Sequence, residues 1–270
     1  MKAPTRKFRA SLPGATAFSV GARLPLTRAL LWLCVVTGPA LALRAQDDVA
    51  NEARQTIAFA HPIKGALTGF GSLEFRENSD QGYKDVAVAW PGVNYLLQPR
   101  VQLTAGLFTL FTDNQKSADK LELRPSVGVK YFLQNKERWN IYNYTRYEYR
   151  DTENRTTGAW TAYSRVRSRF GVEFPLTSLA QAWKPNTWYG LADVEPIYRF
   201  DHDTIDPVYL RGGIGYILHN RARVEFIYWT EFTRTSAGQL LRTNNIFQVD
   251  IKIGLSEGIL ERVRNPRVDK

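Results

Sequence analysis

The chain has 270 residues, with 36 Lys and Arg against 26 Asp and Glu, for a formal charge of +10. Seven of the basic residues, Lys2, Arg6, Lys7, Arg9, Arg23, Arg28 and Arg44, fall in the first 45 positions, which hold no acid. The remainder is near +3, so the basicity is no argument for nucleic acid, and nucleic acid is not expected as a partner. The single Cys, Cys34, also lies in that segment, which excludes disulfides, thiolate metal sites and a cysteine nucleophile from everything downstream.

Residues 1–45 read as a secretory signal peptide. A basic leader precedes an apolar stretch, Ala29 to Ala42, and small residues then offer Ala40-Leu41-Ala42 or Leu43-Arg44-Ala45 for cleavage. Gly38 and Pro39 interrupt the stretch, and a spanning helix needs about 20 apolar residues, so removal is expected rather than retention as an anchor. Leu31-Trp32-Leu33 before Cys34 is not the small-residue pattern of a lipoprotein site. About 225 residues remain, one domain by size. Their expected organisation is an N-terminal periplasmic segment at 46–66, a membrane barrel at 67–255 and a periplasmic tail at 256–270. Nothing after the leader reaches the length of a spanning helix. In lipid every backbone polar group must be paired within the protein, which leaves a closed β-barrel.

Ten segments alternate apolar and polar residues with period two, the signature of strands. In chain order they lie near Leu67–Arg76, Asp85–Leu97, Val101–Phe111, Leu121–Phe132, Trp139–Arg150, Trp160–Phe174, Trp188–Phe200, Val208–Leu218, Val224–Thr233 and Ile246–Leu255. The fold class is therefore all-β, an antiparallel up-and-down transmembrane barrel of about ten strands. Adding Gln55–Ala60 and one further segment would give twelve. Short connections alternate with longer polar ones, as bacterial barrels alternate periplasmic turns with external loops. That phase predicts an even strand number with both termini in the periplasm. Leu176 to Thr187 is long for a turn and is expected to hold turn structure of its own.

One face of each segment is apolar. Leu121, Leu123, Val127, Val129 and Tyr131 form one such row, and Phe247, Val249, Ile251, Ile253 and Leu255 another. Trp139, Trp160 and Trp188 stand at strand starts, where aromatic girdles meet the membrane interfaces. The opposite faces carry charge of both signs. The expected lumenal set is Glu74, Arg76, Glu122, Arg124, Arg146, Glu148, Arg150, Arg165, Arg167, Arg169, Glu173, Asp193, Glu195, Arg199 and Arg211. A small barrel has a narrow lumen, so long arginines from facing walls should pair with carboxylates and close it to flow. The alternative is an arginine track that selects small anionic solutes.

Several of these residues carry a family resemblance. Glu-Phe-Arg at Glu74–Arg76, Arg124-Pro125, Arg-x-Glu-x-Arg at Arg146, Glu148 and Arg150, and Arg-x-Arg at Arg165 and Arg167 followed by Glu173-Phe174-Pro175-Leu176 occur in that order. In this the chain resembles an uncharacterised bacterial outer-membrane barrel family, domain of unknown function 2490, over roughly Leu67 to Thr233. The sequence departs from that pattern at Ser126, where an aromatic is expected after the Pro, and in running on through Ser256–Lys270. The resemblance implies a barrel and supplies no activity.

No catalytic, cofactor or metal site is expected. His61, His202 and His219 lie outside the ten segments. Ser164 and Ser168 face outward, where a lipid-cleaving nucleophile would sit, but no His base stands beside them. Asp201-His202-Asp203 with Asp206 reads as a solvated loop rather than a Ca²⁺ site, since its spacing is not that of an EF-hand. The leading function is a non-enzymatic outer-membrane barrel with a structural or interaction role. A narrow anion channel and a lipid-modifying enzyme are the alternatives. The expected partners are outer-membrane lipid and the periplasmic chaperones and assembly machinery that insert barrels.

Overall fold

The computed structural model describes residues 49–135, 139–235 and 237–264. The expected leader at 1–45 lies outside the described residues. Eleven strands form one closed barrel: β1 Ala50–Lys64, β2 Leu67–Asn78, β3 Tyr83–Gln98, β4 Val101–Asn114, β5 Lys120–Asn135, β6 Asn140–Asn154, β7 Trp160–Pro175, β8 Thr187–Arg199, β9 Thr204–His219, β10 Ala222–Arg234 and β11 Leu240–Gly254. A short helix, α1 Ile259–Arg264, follows. Each strand pairs antiparallel with its successor. The barrel closes by a parallel seam between β1 and β11, running from Ala50 beside Asn244 to Ala60 beside Gly254.

Eleven falls between the ten and twelve strands expected, but the even parity does not hold. With β1 and β11 parallel, Ala50 and Gly254 stand at opposite rims, so the two ends of the barrel do not share a side. The cause is the segment expected to precede the barrel, 46–66, most of which is β1. Its outward face begins with Asn51, Ala53 and Gln55, all exposed, so the apolar half of the alternation is missing there. The strands also run further than their periodic cores. The connections at one rim shrink to 79–82, 115–119, 155–159 and 200–203, and β10 is linked to β11 at the same rim. At the other rim they are 65–66, 99–100, 220–221 and the longer 176–186, with the link from β5 to β6 between the second and third of these in chain order. These are called the loop rim and the turn rim. Gly65 supplies the positive φ that the tight β1–β2 turn requires.

The alternation sorts side chains as a membrane barrel requires. Outward positions expose Val127 and Phe247 at 57% each, along with Phe75, Val86, Leu103, Tyr147, Phe170, Ile214 and Phe226. The expected interface aromatics stand near the rims. Trp139 packs on Phe174 with ring centroids 5.5 Å apart, and Trp188 on Tyr216 at 4.7 Å, toward the turn rim. Trp160 is exposed at the loop-rim end of β7. Among the described residues no helix is long and apolar enough to cross a membrane. The crossing is made by strands.

The lumen is filled rather than open at the turn rim. Tyr189, Leu191, Ile217, Ile227, Trp229 and Ile246 form a buried inward cluster, against which Trp183 of the 176–186 connection packs. The Trp183 and Tyr189 rings are 5.6 Å apart. That connection does hold its own structure, a 3-10 turn at Leu179–Gln181. Beside the seam, Ile259 and Leu260 of α1 pack on Ala60. Gly215 makes room for the Tyr189 ring, since a Cβ there would stand 2.2 Å from its ring carbon.

The register predicts an asymmetry between neighbouring positions. Val127→Arg places a guanidinium on the lipid face, at a cost on the order of 2–4 kcal/mol. Ser126→Arg turns into the lumen and stays out of lipid. Folding titrations into vesicles should find Val127→Arg the more damaging of the two. The reverse order would mean a one-residue error in the β5 register, because such a slip exchanges the faces.

Candidate functional site

Inward positions on β5 to β9 bring seven arginines and four carboxylates into one continuous chain of ion pairs. Glu122 accepts from Arg150 Nε at 2.8 Å and from Arg124 Nε at 2.7 Å. Arg124 lies 3.9 Å from Glu148. Glu148 also meets Arg146 at 2.5 Å, Arg165 at 2.6 Å and Arg167 at 3.7 Å. Arg167 continues to Glu195 at 2.8 Å, and Glu195 accepts from Arg169 at 2.6 Å. Arg169 stands 3.8 Å from Asp193, which accepts from Arg211 Nε at 2.8 Å. Alternation of strand side chains explains the pattern. The i, i+2 spacing of Arg146, Glu148 and Arg150, and of Arg165, Arg167 and Arg169, sends each set to one face. Registers then put Glu148 directly across from Arg165. Cross-strand neighbours of opposite charge stabilise a sheet.

A second group lies on β1 to β3. Arg54 pairs with Glu52 and Arg76 with Glu74, and Asp85 is 3.7 Å from Arg76. Tyr83 donates to Glu52 at 2.6 Å and Thr56 to Glu74 at 3.2 Å. From across the parallel seam, Asn244 donates to Glu52 and Gln248 to Thr56. A third group joins Lys252 and Tyr189 to Glu225, at 2.6 and 2.5 Å.

Aromatic rings close the gaps between the first two groups. Trp229 on β10 lies between Arg54 at 5.0 Å and Arg211 at 4.6 Å from its ring centroid. β4 sends only Gln102, Thr104, Gly106, Phe108 and Leu110 inward among its central residues, with no charge, and there Phe108 takes over. Arg124 sits 4.4 Å and Arg76 5.9 Å from its centroid. Cations within about 6 Å of an aromatic face are held by its quadrupole. Charge and π contacts together therefore run right round the inner wall.

Most of the expected lumenal residues enter this system. Arg199 turns instead to Asp201 in the loop, at 2.7 Å, and stacks over Tyr163. That hydrogen bond holds the Asp201 carboxyl below its usual range. Glu173 accepts from Asn140 at 3.0 Å. Sequence reasoning missed Glu52, Arg54, Asp85, Phe108 and Trp229. Glu52-x-Arg54 repeats the Glu-x-Arg spacing of Glu74-x-Arg76 and Glu122-x-Arg124, and that repetition was the available signal for β1 as a strand with a lumenal face.

Ser164 and Ser168 do face lipid. Ser164 shares a hydrogen bond with the Tyr147 hydroxyl at 2.6 Å. Ser168 bonds Thr145 and Asn143, both at 2.9 Å. Hydroxyl and amide groups thus engage both serines. Among the described residues no three His, Cys, Asp or Glu side chains gather as metal ligands.

A family model described as "Protein of unknown function (DUF2490)" matches residues 55–242. The chain belongs to this family. The match begins inside β1 and ends inside β11, so the DUF2490 region takes in both sides of the seam. No curated protein and no solved structure matches the chain. A closed barrel with an apolar outer face is the architecture of outer-membrane proteins, and this DUF2490 protein has that architecture.

Glu148 is 1% exposed and meets four guanidinium groups. Removing one partner from a buried ion pair leaves uncompensated charge. Glu148→Gln should therefore cost on the order of 3 kcal/mol, well beyond the loss of an exposed pair such as Lys84 with Glu77. Denaturant unfolding of Glu148→Gln and Glu77→Gln in micelles checks the ranking.

Proposed function

We propose that this protein is a bacterial outer-membrane barrel whose lumen does not conduct and whose role is structural or one of interaction, without catalysis. The carrying observation is the lumenal belt of ion pairs. Its arginines are buried against carboxylates, with Arg165 6% and Arg167 8% exposed, and Trp183, Ile259 and Leu260 pack toward the turn rim. A non-enzymatic role is supported by the outward serines, which are occupied by Tyr147, Thr145 and Asn143. Export requires removal of the leader at Ala42 or Ala45, and insertion requires the periplasmic chaperones and assembly machinery that serve such barrels. In this reading the turn rim faces the periplasm and the surrounding partner is outer-membrane lipid.

Planar-bilayer recording tests the central point. The wild type should give little or no steady conductance. A large, steady, anion-selective current would reject the closed lumen and favour the channel for small anionic solutes. N-terminal sequencing of membrane-extracted protein should find no residue upstream of Ala40; an intact Met1 would refute cleavage.

A further inference from the structure

The ion-pair chain from Arg150 to Arg211 is out of balance, with seven arginines sharing four carboxylates. The register makes this worse. Arg146 stands directly across from Arg167, and Arg165 from Arg199. Like charges opposed in a sheet are destabilising, and charge in a poorly solvated interior must be compensated.

Arg146 is where the surplus collects. Its side chain is 24% exposed, the most open of those that meet Glu148. Its Nε is buried 2.5 Å from Glu148, a carboxylate already shared with three other arginines. The adjoining wall is small and uncharged at this level. Gly128 pairs with Arg146, and Thr104 pairs with Gly128. The Thr104 and Tyr144 hydroxyls share one hydrogen bond at 2.9 Å, which leaves one hydroxyl proton free to donate. A planar guanidinium partly exposed beyond its buried Nε, a second guanidinium opposite and a neutral hydroxyl wall form a receptor for an oxyanion.

We propose that the lumen holds a small oxyanion of the phosphate or sulfate class against Arg146, with Arg167 and the Thr104–Tyr144 hydroxyl pair completing its shell. The proposal rests on the closed-lumen reading, in which such an anion is a resident counter-charge and not a permeant ion. Phosphate should then act as a specific stabiliser of the folded barrel.

The test uses the full barrel in detergent, exchanged into chloride buffer. Inorganic phosphate is titrated against sodium chloride at matched ionic strength, with Tm and calorimetric binding as readouts. The wild type should show a saturable rise in Tm with phosphate that chloride does not reproduce. Arg146→Gln should raise the phosphate Kd at least tenfold while leaving the Tm in chloride unchanged or higher, because it removes surplus charge. Arg146→Lys keeps the charge but loses the fork, and should bind phosphate more weakly than the wild type. An absent phosphate effect in the wild type overturns the proposal, as does an undiminished effect in either variant. A lower Tm for Arg146→Gln in chloride also overturns it, since Arg146 would then be an ordinary ion-pair partner. Failure of the closed-lumen reading registers separately, as current across a bilayer.

Discussion

One buried carboxylate organises the interior of this barrel. Glu148 sits on β6 and meets Arg124 from β5, Arg146 from its own strand, and Arg165 and Arg167 from β7. Neither the arginines nor the acid would be tolerable there alone, because an unpaired charge taken out of water costs several kcal/mol. Their mutual dependence also fixes geometry. A one-residue slip of β6 against its neighbours would send Glu148 and Arg146 into lipid and leave Arg124, Arg165 and Arg167 without their shared carboxylate. The ion pairs are thus a register lock as much as a source of stability.

The same logic explains the inversion of the usual core. Lipid is as apolar as the side chains that face it, so burying Val127 or Phe247 against another strand gains little over leaving it in the bilayer. What the inside must do is satisfy polar groups, and it does so with charge pairs, tyrosine hydroxyls and two ring bridges. Among the described residues, buried apolar side chains cluster in the patch around Tyr189 and Ile217, topped by Trp183, and in the small contact of Ile259 with Ala60. Both lie where a connection or the tail folds back over a rim.

The membrane-facing half of the fold was legible because period two is strong wherever one face must be apolar. Segments such as Leu121–Phe132 and Ile246–Leu255 announce themselves by Val, Ile, Phe and Tyr at every second place. β1 was hidden because its outer face opens with Asn51, Ala53 and Gln55, and a face that is polar or small on both sides reads as a flank. Missing β1 as a full strand also concealed the parallel seam, since pairing partners are not written in a single strand. The lumenal charges were legible as a set, but their connectivity was not. That Arg199 turns to Asp201 in its own loop, and that Phe108 and Trp229 join charges across uncharged stretches of wall, depends on reach and facing that periodicity does not encode.

The parallel seam has a consequence for rewiring the chain. In a barrel with an even number of strands the first and last strands run in opposite directions, so their free ends meet at one rim and a few residues can join them. Here Ala50 and Gly254 stand a full strand length apart, some tens of ångströms at about 3.3 Å per residue. A circular permutant would need its new linker to climb the whole height of the wall, through the filled lumen or through lipid. New ends cut at Gly65 or at the 99–100 turn are therefore closed to this topology, although the same cuts are the natural ones in an even-stranded barrel.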